Sequence, residues 1–285
     1  MSRKTYSLFN PSLSLGALDE TRWTQHTAFS VYGARVGLRT NNARALKKIA
    51  QAYPPHCREI SSTRVDWLYS LYIAKPTRAE PRPFHLLYSN ADEISRAQDL
   101  EPVLAAFDRD VQLAVAQTAR RKVYVHAGVV GWQGRAIVIP GRTFTGKSTL
   151  VRELVRAGAI YYSDEYAVLD EQGRVHPFAR QLALRDQSPV NRKLSFQELG
   201  GVIGTKSIPV GTVLVTKYHS GAKWRPQTLT PGLGTLALLA NCVTARSGDP
   251  LVLQILSHVA SQANILKSKR GEARAFAEQL LAALS

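Results

Sequence analysis

The chain has 285 residues, 45% hydrophobic and 20% charged, which is apolar enough for one large core or two modest ones and excludes default disorder. No apolar run reaches the roughly 20 residues needed to span a bilayer. The start at Met1–Tyr6 opens no secretory core, so a cytoplasmic protein without a membrane partner is expected. Cys57 and Cys242 have neither metal-ligand nor redox spacing and are expected as reduced thiols.

The predicted elements run as follows. Residues 1–25 are polar, carry Pro11 and Gly16, and read as an irregular arm. Alternation over Phe29–Leu38 predicts a strand. Asn41 or Asn42 can cap a helix running to about Tyr53, where Pro54-Pro55 stops it. Val65–Ile73 and Phe84–Tyr88 read as strands across a proline-rich turn at 76–83, and Ala91–Ala97 as a short helix. Glu101–Ala119 is a longer amphipathic helix with Val103, Leu104, Phe107, Val111 and Val115 on one stripe. The character changes at Arg120-Arg121-Lys122. Val123–His126, Val129–Gly131 and Ala136–Pro140 follow as short apolar strands, with a turn at Trp132–Arg135. Ser148–Ala157 reads as a helix ended by Gly158, and Ile160–Tyr162 as the next strand. Val168–Leu169 and Val175–Pro177 flank a hairpin turn, Val210–Thr216 is a further strand, and 233–240, 251–257 and 273–284 read as helices. The expected fold class is therefore α/β, with a smaller N-terminal α/β module over 1–120 and a nucleotide-binding domain over 121–285.

Gly141-Arg142-Thr143-Phe144-Thr145-Gly146-Lys147-Ser148, followed by Thr149, fits the pattern G-x-x-x-x-G-K-[S/T]. At an average glycine usage of about 7%, chance matches in a chain of this length come on the order of once in a hundred. The context is the one the motif requires: the apolar strand Ala136–Pro140 runs in and a helix runs out. Gly141 and Gly146 let the backbone curl so that N–H groups face a phosphate, Lys147 reaches the β- and γ-phosphates, and the Ser148 hydroxyl is a ligand for Mg²⁺. The expected cofactors are ATP and Mg²⁺. Asp164-Glu165 follows the next strand, where a carboxylate beside a phosphate loop serves the metal or the attacking group. Neighbours in an extended segment point to opposite sides, so the two need not share a role. One fitting arrangement puts Asp164 on the metal and leaves Glu165 to accept the proton of an incoming hydroxyl. His126 ends a strand, and on its own it reads more readily as a core histidine than as a catalytic one.

Together, His126-Ala127-Gly128-Val129, the loop, the helix ending Arg156-Ala157-Gly158, and Ser163-Asp164-Glu165 resemble the catalytic domain of HPr kinase/phosphorylase. They look closer still to the HPr-kinase-like proteins of bacterial genomes, some of them beside peptide-modification genes. The wider group shares its nucleotide core with ATP-dependent phosphoenolpyruvate carboxykinase. The resemblance covers about residues 121–190. It implies an active-site role for His126, the loop lysine at Lys147, a magnesium-binding serine at Ser148, and Asp164-Glu165 where the family has two adjacent aspartates. The second of those aspartates is the family's proton acceptor, and here it is Glu165, so Asp164 stays a candidate base. The family's further metal-binding glutamate, in a Glu-Ile-Arg-Gly stretch, has no counterpart in Ala183-Leu184-Arg185-Asp186, which keeps only the arginine. No signature of the reverse phosphorylase reaction can be placed in Pro209–Tyr218. The resemblance therefore implies a kinase, not a bifunctional kinase/phosphorylase, and it does not extend to HPr as the substrate. Arg142 or Arg185 is available to stabilise transition-state charge.

The net charge of +16, from 37 basic and 21 acidic side chains, fits an anionic partner, and it equally fits a solvated basic surface. No aromatic RNA-binding signature or helix-turn-helix is present, which argues against nucleic acid. The acceptor expected is a hydroxyl, a serine above all, on an acidic peptide, a protein or a small molecule, and a homo-oligomer is compatible with this core. Two other readings stay open: a nucleotide-binding switch without turnover, and a carboxykinase-like enzyme acting on a small acid.

Overall fold

The computed structural model describes residues 5–8, 23–141, 145–180, 182–184, 192–194, 201–245 and 247–285. The protein is mixed α/β, with two large sheets and six α-helices among the described residues. Its contacts divide it into two compact units, Met1–Arg120 and Arg121–Ser285.

The first unit holds β1 (Gln25–Val31), β2 (Ala34–Thr40), α1 (Ala43–Ile49), β3 (Trp67–Tyr72), β4 (His85–Ser89), β5 (Asp92–Ala97) and α2 (Leu100–Thr118). Arg58–Glu59 pairs with β1 at one edge, and the order continues β1-β2-β3-β4-β5, with only β2 and β3 parallel. Of the N-terminal arm, Tyr6–Ser7 pairs with Arg64–Val65.

Two expectations fail in this unit. Phe29–Leu38 is not one strand but a hairpin, because Tyr32 and Gly33 both take positive φ (46° and 83°). That is the two-residue turn whose twist matches its strands. The alternation runs through the turn unbroken, which disguised it. Residues 91–97 are not a helix. Asn90 at φ 56° reverses the chain, and Asp92–Ala97 returns along β4. Asn42 caps α1 as expected, its side chain accepting from the N–H groups of Arg44 (2.9 Å) and Ala45 (3.0 Å).

Asp66 is the charged anchor of this unit. Its buried carboxylate accepts from Arg35 Nη2 (2.9 Å), Arg35 Nε (3.1 Å) and the Arg35 backbone N–H (3.0 Å). Burial pushes its pKa up, but the Arg35 hydrogen bonds outweigh that and hold it below the ordinary carboxylate range. A folded-state pKa below the unfolded one gives stability that is present above the ordinary value of about 3.9 and is lost as pH falls through the folded pKa. Asp66→Asn is expected to lower unfolding free energy by about 2 kcal/mol at pH 7, with the gap to the parent closing on acidification. Urea unfolding at pH 7 and below pH 4 checks both the size and the sign.

The second unit holds β6 (Lys122–Trp132), β7 (Arg135–Pro140), α3 (Lys147–Arg156), β8 (Ile160–Ser163), β9 (Tyr166–Asp170), β10 (Arg174–His176), β11 (Ile208–Tyr218), α4 (Pro231–Leu239), α5 (Pro250–Gln262), β12 (Asn264–Arg270) and α6 (Ala273–Ala283). The separate segments 123–126 and 129–131 expected from sequence are one long strand, β6. The sheet order is β7-β6-β9-β10-β11-β12, with β8 on the second half of β6 and Gln227–Thr228 at the far edge. Since β7 also pairs with β11, the pairings close on themselves.

β7, β11 and β12 run parallel, so their carboxyl ends face the same side. β7 is buried on both faces, which explains its unbroken apolar run. Ala136 and Val138 pack with Val252, Ile255 and Leu256 of α5, while Ile137 and Ile139 pack with Leu150, Val151 and Leu154 of α3 and Phe276 and Leu280 of α6. β12 was not foreseen, because four of its seven residues are the basic run Lys267–Arg270. No helix among the described residues is long and apolar enough to cross a membrane.

Candidate functional site

The alternation of β6 decides where His126 sits. Val123, Val125, Ala127 and Val129 face the α5 core, and Val130 faces the α3 core. His126 and Gly128 share the parity of Val130 and hence the α3 side. Gly128 is where the helix crosses the strand: a Cβ there would meet Val151 Cγ2 at 2.5 Å and Lys147 Cβ at 3.9 Å. Val151 is β-branched and rotamer-locked in a helix, so it has little freedom to yield. Gly128→Ala is expected to lower stability by about 1–3 kcal/mol through overpacking and to displace the start of α3. Thermal unfolding together with nucleotide titration reads both effects.

The backbone of His126 fixes the strand ends around the site. Its carbonyl accepts from the N–H of Gly141 (3.1 Å), which ties the start of the loop to β6, and the N–H of Ala127 donates to the Glu165 carbonyl (3.1 Å). The His126 ring lies 4.8 Å from that of Tyr166. Burial, and then the Lys147 charge, hold its pKa below the ordinary value, so the ring is neutral at pH 7.

The loop residues Arg142, Thr143 and Phe144 lie outside the described residues; its two ends are described. A Cβ on Gly141 would meet Thr145 Oγ1 at 2.9 Å, so the turn closes too tightly for a side chain. Gly146, at φ 80°, begins α3 in the left-handed region. No side chain among the described residues caps that helix, so its first N–H groups and the positive end of its dipole suit an anion. Lys147 and Ser148 open the helix, followed by the exposed Thr149. Burial holds the Lys147 pKa below its ordinary value, while the negative charges of Asp164 and Glu165 oppose the shift.

Asp164 and Glu165 separate, although they lie in a turn and not in the extended segment expected. The Ser163 hydroxyl accepts from the N–H groups of Glu165 (3.2 Å) and Tyr166 (3.0 Å) and turns the chain between β8 and β9. Asp164 faces inward: the Tyr161 hydroxyl donates to its Oδ1 (2.9 Å), and the Ser148 hydroxyl stands near enough to favour the ionised carboxylate. Burial raises the Asp164 pKa above the usual range, and those two hydroxyls pull against the rise. Glu165 is exposed, with Arg180 Nη1 3.4 Å from its Oε2. The site thus brings His126, Lys147, Ser148, Asp164 and Glu165 to one end of the sheet. Arg185 lies outside the described residues.

Three side chains escaped sequence reasoning. Tyr161 is a buried tyrosine inside a short strand, and its hydroxyl also lies 3.1 Å from the Arg180 carbonyl oxygen. Arg180 follows β10 without any motif. Arg270 ends β12, buried, with Nη2 donating to the carbonyls of Gly146 (2.9 Å) and Thr145 (3.4 Å). The available signal was parity: once 264–270 is a strand, Ser268 and Arg270 share the face of Leu266, which packs against the α3 core.

For a metal, the chemistry of the donors is the test. Among the described residues no three His, Cys, Asp or Glu side chains cluster as a metal cage. Ser148 and Asp164, a neighbouring hydroxyl and carboxylate, are the hard-oxygen set that suits Mg²⁺, which takes few protein ligands and leaves the rest to phosphate and water. Comparison of the chain with protein-family models finds no match, and comparison with curated proteins finds none either.

Proposed function

We propose that the protein is an ATP- and Mg²⁺-dependent kinase that transfers the γ-phosphate to a hydroxyl, above all a serine hydroxyl, on a phosphate-loop core of the HPr kinase/phosphoenolpyruvate carboxykinase type. The observation that carries this reading is the convergence of Ser148, Asp164 and Lys147 at a helix start that no side chain among the described residues caps. A loop serine and a strand-end carboxylate meeting there form the arrangement by which phosphoryl-transfer enzymes hold a metal-bound triphosphate.

The N–H groups of the loop and of the first turn of α3 hold the phosphates, and Lys147 bridges the β- and γ-phosphates. Ser148 and Asp164 hold Mg²⁺, which supplies charge neutralisation on the phosphate oxygens. Glu165, exposed and aimed away from Asp164, takes the acceptor's proton. The acceptor oxygen then forms its bond to the γ-phosphorus as the bond from that phosphorus to the β–γ bridging oxygen breaks, and ADP leaves. Neutral His126 donates or accepts a hydrogen bond beside the reacting oxygens. Arg180, half-buried next to Glu165, supplies positive charge toward the transferring group.

Transfer of label from γ-labelled ATP to seryl peptides, with Lys147→Ala as control, tests the reading. Label in an acceptor supports it. Tight ATP binding with no turnover on any acceptor replaces it with a nucleotide switch.

A further inference from the structure

Around the carboxyl ends of β11 and β12 there is a concavity of about 810 Å³. Its lining includes Lys217, Lys223, Arg225, Lys267, Lys269 and His219, and among the described residues it holds no carboxylate. None of the five lysine and arginine side chains makes an ion pair among the described residues. Lys217 and Lys269 stand directly opposite in the parallel register of β11 and β12. Like charges placed so are destabilising, because Cβ atoms of cross-strand neighbours lie only about 5 Å apart. The fold carries that repulsion at a site with room for a ligand, and an anion lodged between the two ammonium groups would relieve it.

We infer that this concavity binds an acidic polypeptide segment, the part of the acceptor that presents the hydroxyl. The role as acceptor site rests on the kinase reading; the binding of acidic peptide does not. Three observations favour a peptide. Lys267 and Lys269 are two residues apart on one face of β12, so their charges recur at about 6.6 Å, the period of alternate side chains in an extended peptide. No phenylalanine, tyrosine or tryptophan lines the concavity, so it lacks the stacking platform on which single-stranded nucleic acids rely. The next residue along the strand, Arg270, hydrogen-bonds the carbonyls of Thr145 and Gly146. A segment bound here therefore lies at the carboxyl ends of β11 and β12, beside the strand whose last residue holds the start of α3.

The test uses the full chain and a fluorescein-labelled octaglutamate peptide, read by anisotropy, with a serine–glycine peptide of equal length as blank. K217E/K269E is expected to weaken octaglutamate binding at least tenfold, and K47E/K48E, an exposed basic pair on α1, to leave it unchanged. Raising salt should weaken the wild-type complex. K217Q/K269Q, which removes the repulsion without adding charge, should unfold at or above the parent temperature and also bind the peptide less well. Equal losses in K217E/K269E and K47E/K48E would mean a diffuse charge effect and overturn the proposal, as would no loss in K217E/K269E. Tighter binding of an oligothymidylate of equal charge, lost in the same variant, would overturn it in favour of nucleic acid. A fluorescent ATP analogue titrated in parallel keeps the two readings apart. If the wild type binds octaglutamate at these lysines but not the analogue, the peptide site stands and the kinase reading falls.

Discussion

Lys147→Ala is expected to reduce phosphoryl transfer by at least about 10³-fold while leaving the protein folded. The transferring phosphoryl group spreads negative charge over its oxygens, and positioned charge is nearly all that a protein offers this reaction. Lys147 is the cation at the uncapped start of α3, half-buried, with Asp164 and Glu165 as the negative charges acting on it. Its pKa is pushed down by burial, so its ammonium is held there at some expense of stability, and deleting it removes a desolvation penalty rather than a packing contact. The urea midpoint should accordingly hold within a few tenths molar. Lys147→Arg should be nearly as inactive, because a planar guanidinium cannot replace a compact ammonium at the end of a flexible stem. Single-turnover transfer at saturating ATP separates lost chemistry from lost binding. Undiminished transfer in Lys147→Ala would remove the loop from the reaction.

How much of this was legible in the sequence depends on the range of the interactions. The strand–loop–helix around Gly141–Ser148 is local, and β7 and α3 stand where the apolar run and the glycines put them. The different exposure of Asp164 and Glu165 was expected from an extended segment, but it arises from the turn that the Ser163 hydroxyl makes between β8 and β9. The fold of the first unit misled wherever a turn needed positive φ from a residue other than glycine: Tyr32 and Asn90 reverse the chain, and nothing in the alternation around them changes. β12 escaped because its basic half reads as solvated surface, and its strand character comes from pairing with β11, which precedes it by some 50 residues. Tyr161 and Arg270 act through contacts that span strands and loops, so a linear pattern cannot display them. The apolar skeleton of the site was visible, and the side chains that brace it were not.

Arg270 is the brace with the sharpest consequence. Arg270→Met is expected to weaken ATP binding about tenfold while changing unfolding free energy little. The guanidinium is 2% exposed, and its Nη2 donates to Gly146, whose carbonyl also accepts from the N–H of Leu150 in the first turn of α3. A hydrogen bond from a charged group contributes about 1.5–3 kcal/mol. Against that stands a buried cation with Nε unpartnered, whose pKa burial lowers despite the opposing charge of Glu272. Methionine fills similar space without charge, so the lost bonds and the relieved desolvation offset one another. What does not offset is geometry. Gly146, at φ 80°, has no side chain to fix it, and its carbonyl is held from two sides, by the Arg270 guanidinium and by the N–H of Leu150. Freed, the loop must be ordered by the nucleotide itself, and that ordering is deducted from affinity. Isothermal titration of ATP and urea unfolding of the same variant decide the matter: a fall in stability matching the fall in affinity would make Arg270 an ordinary core residue, while affinity lost alone identifies it as the residue that positions the phosphate loop.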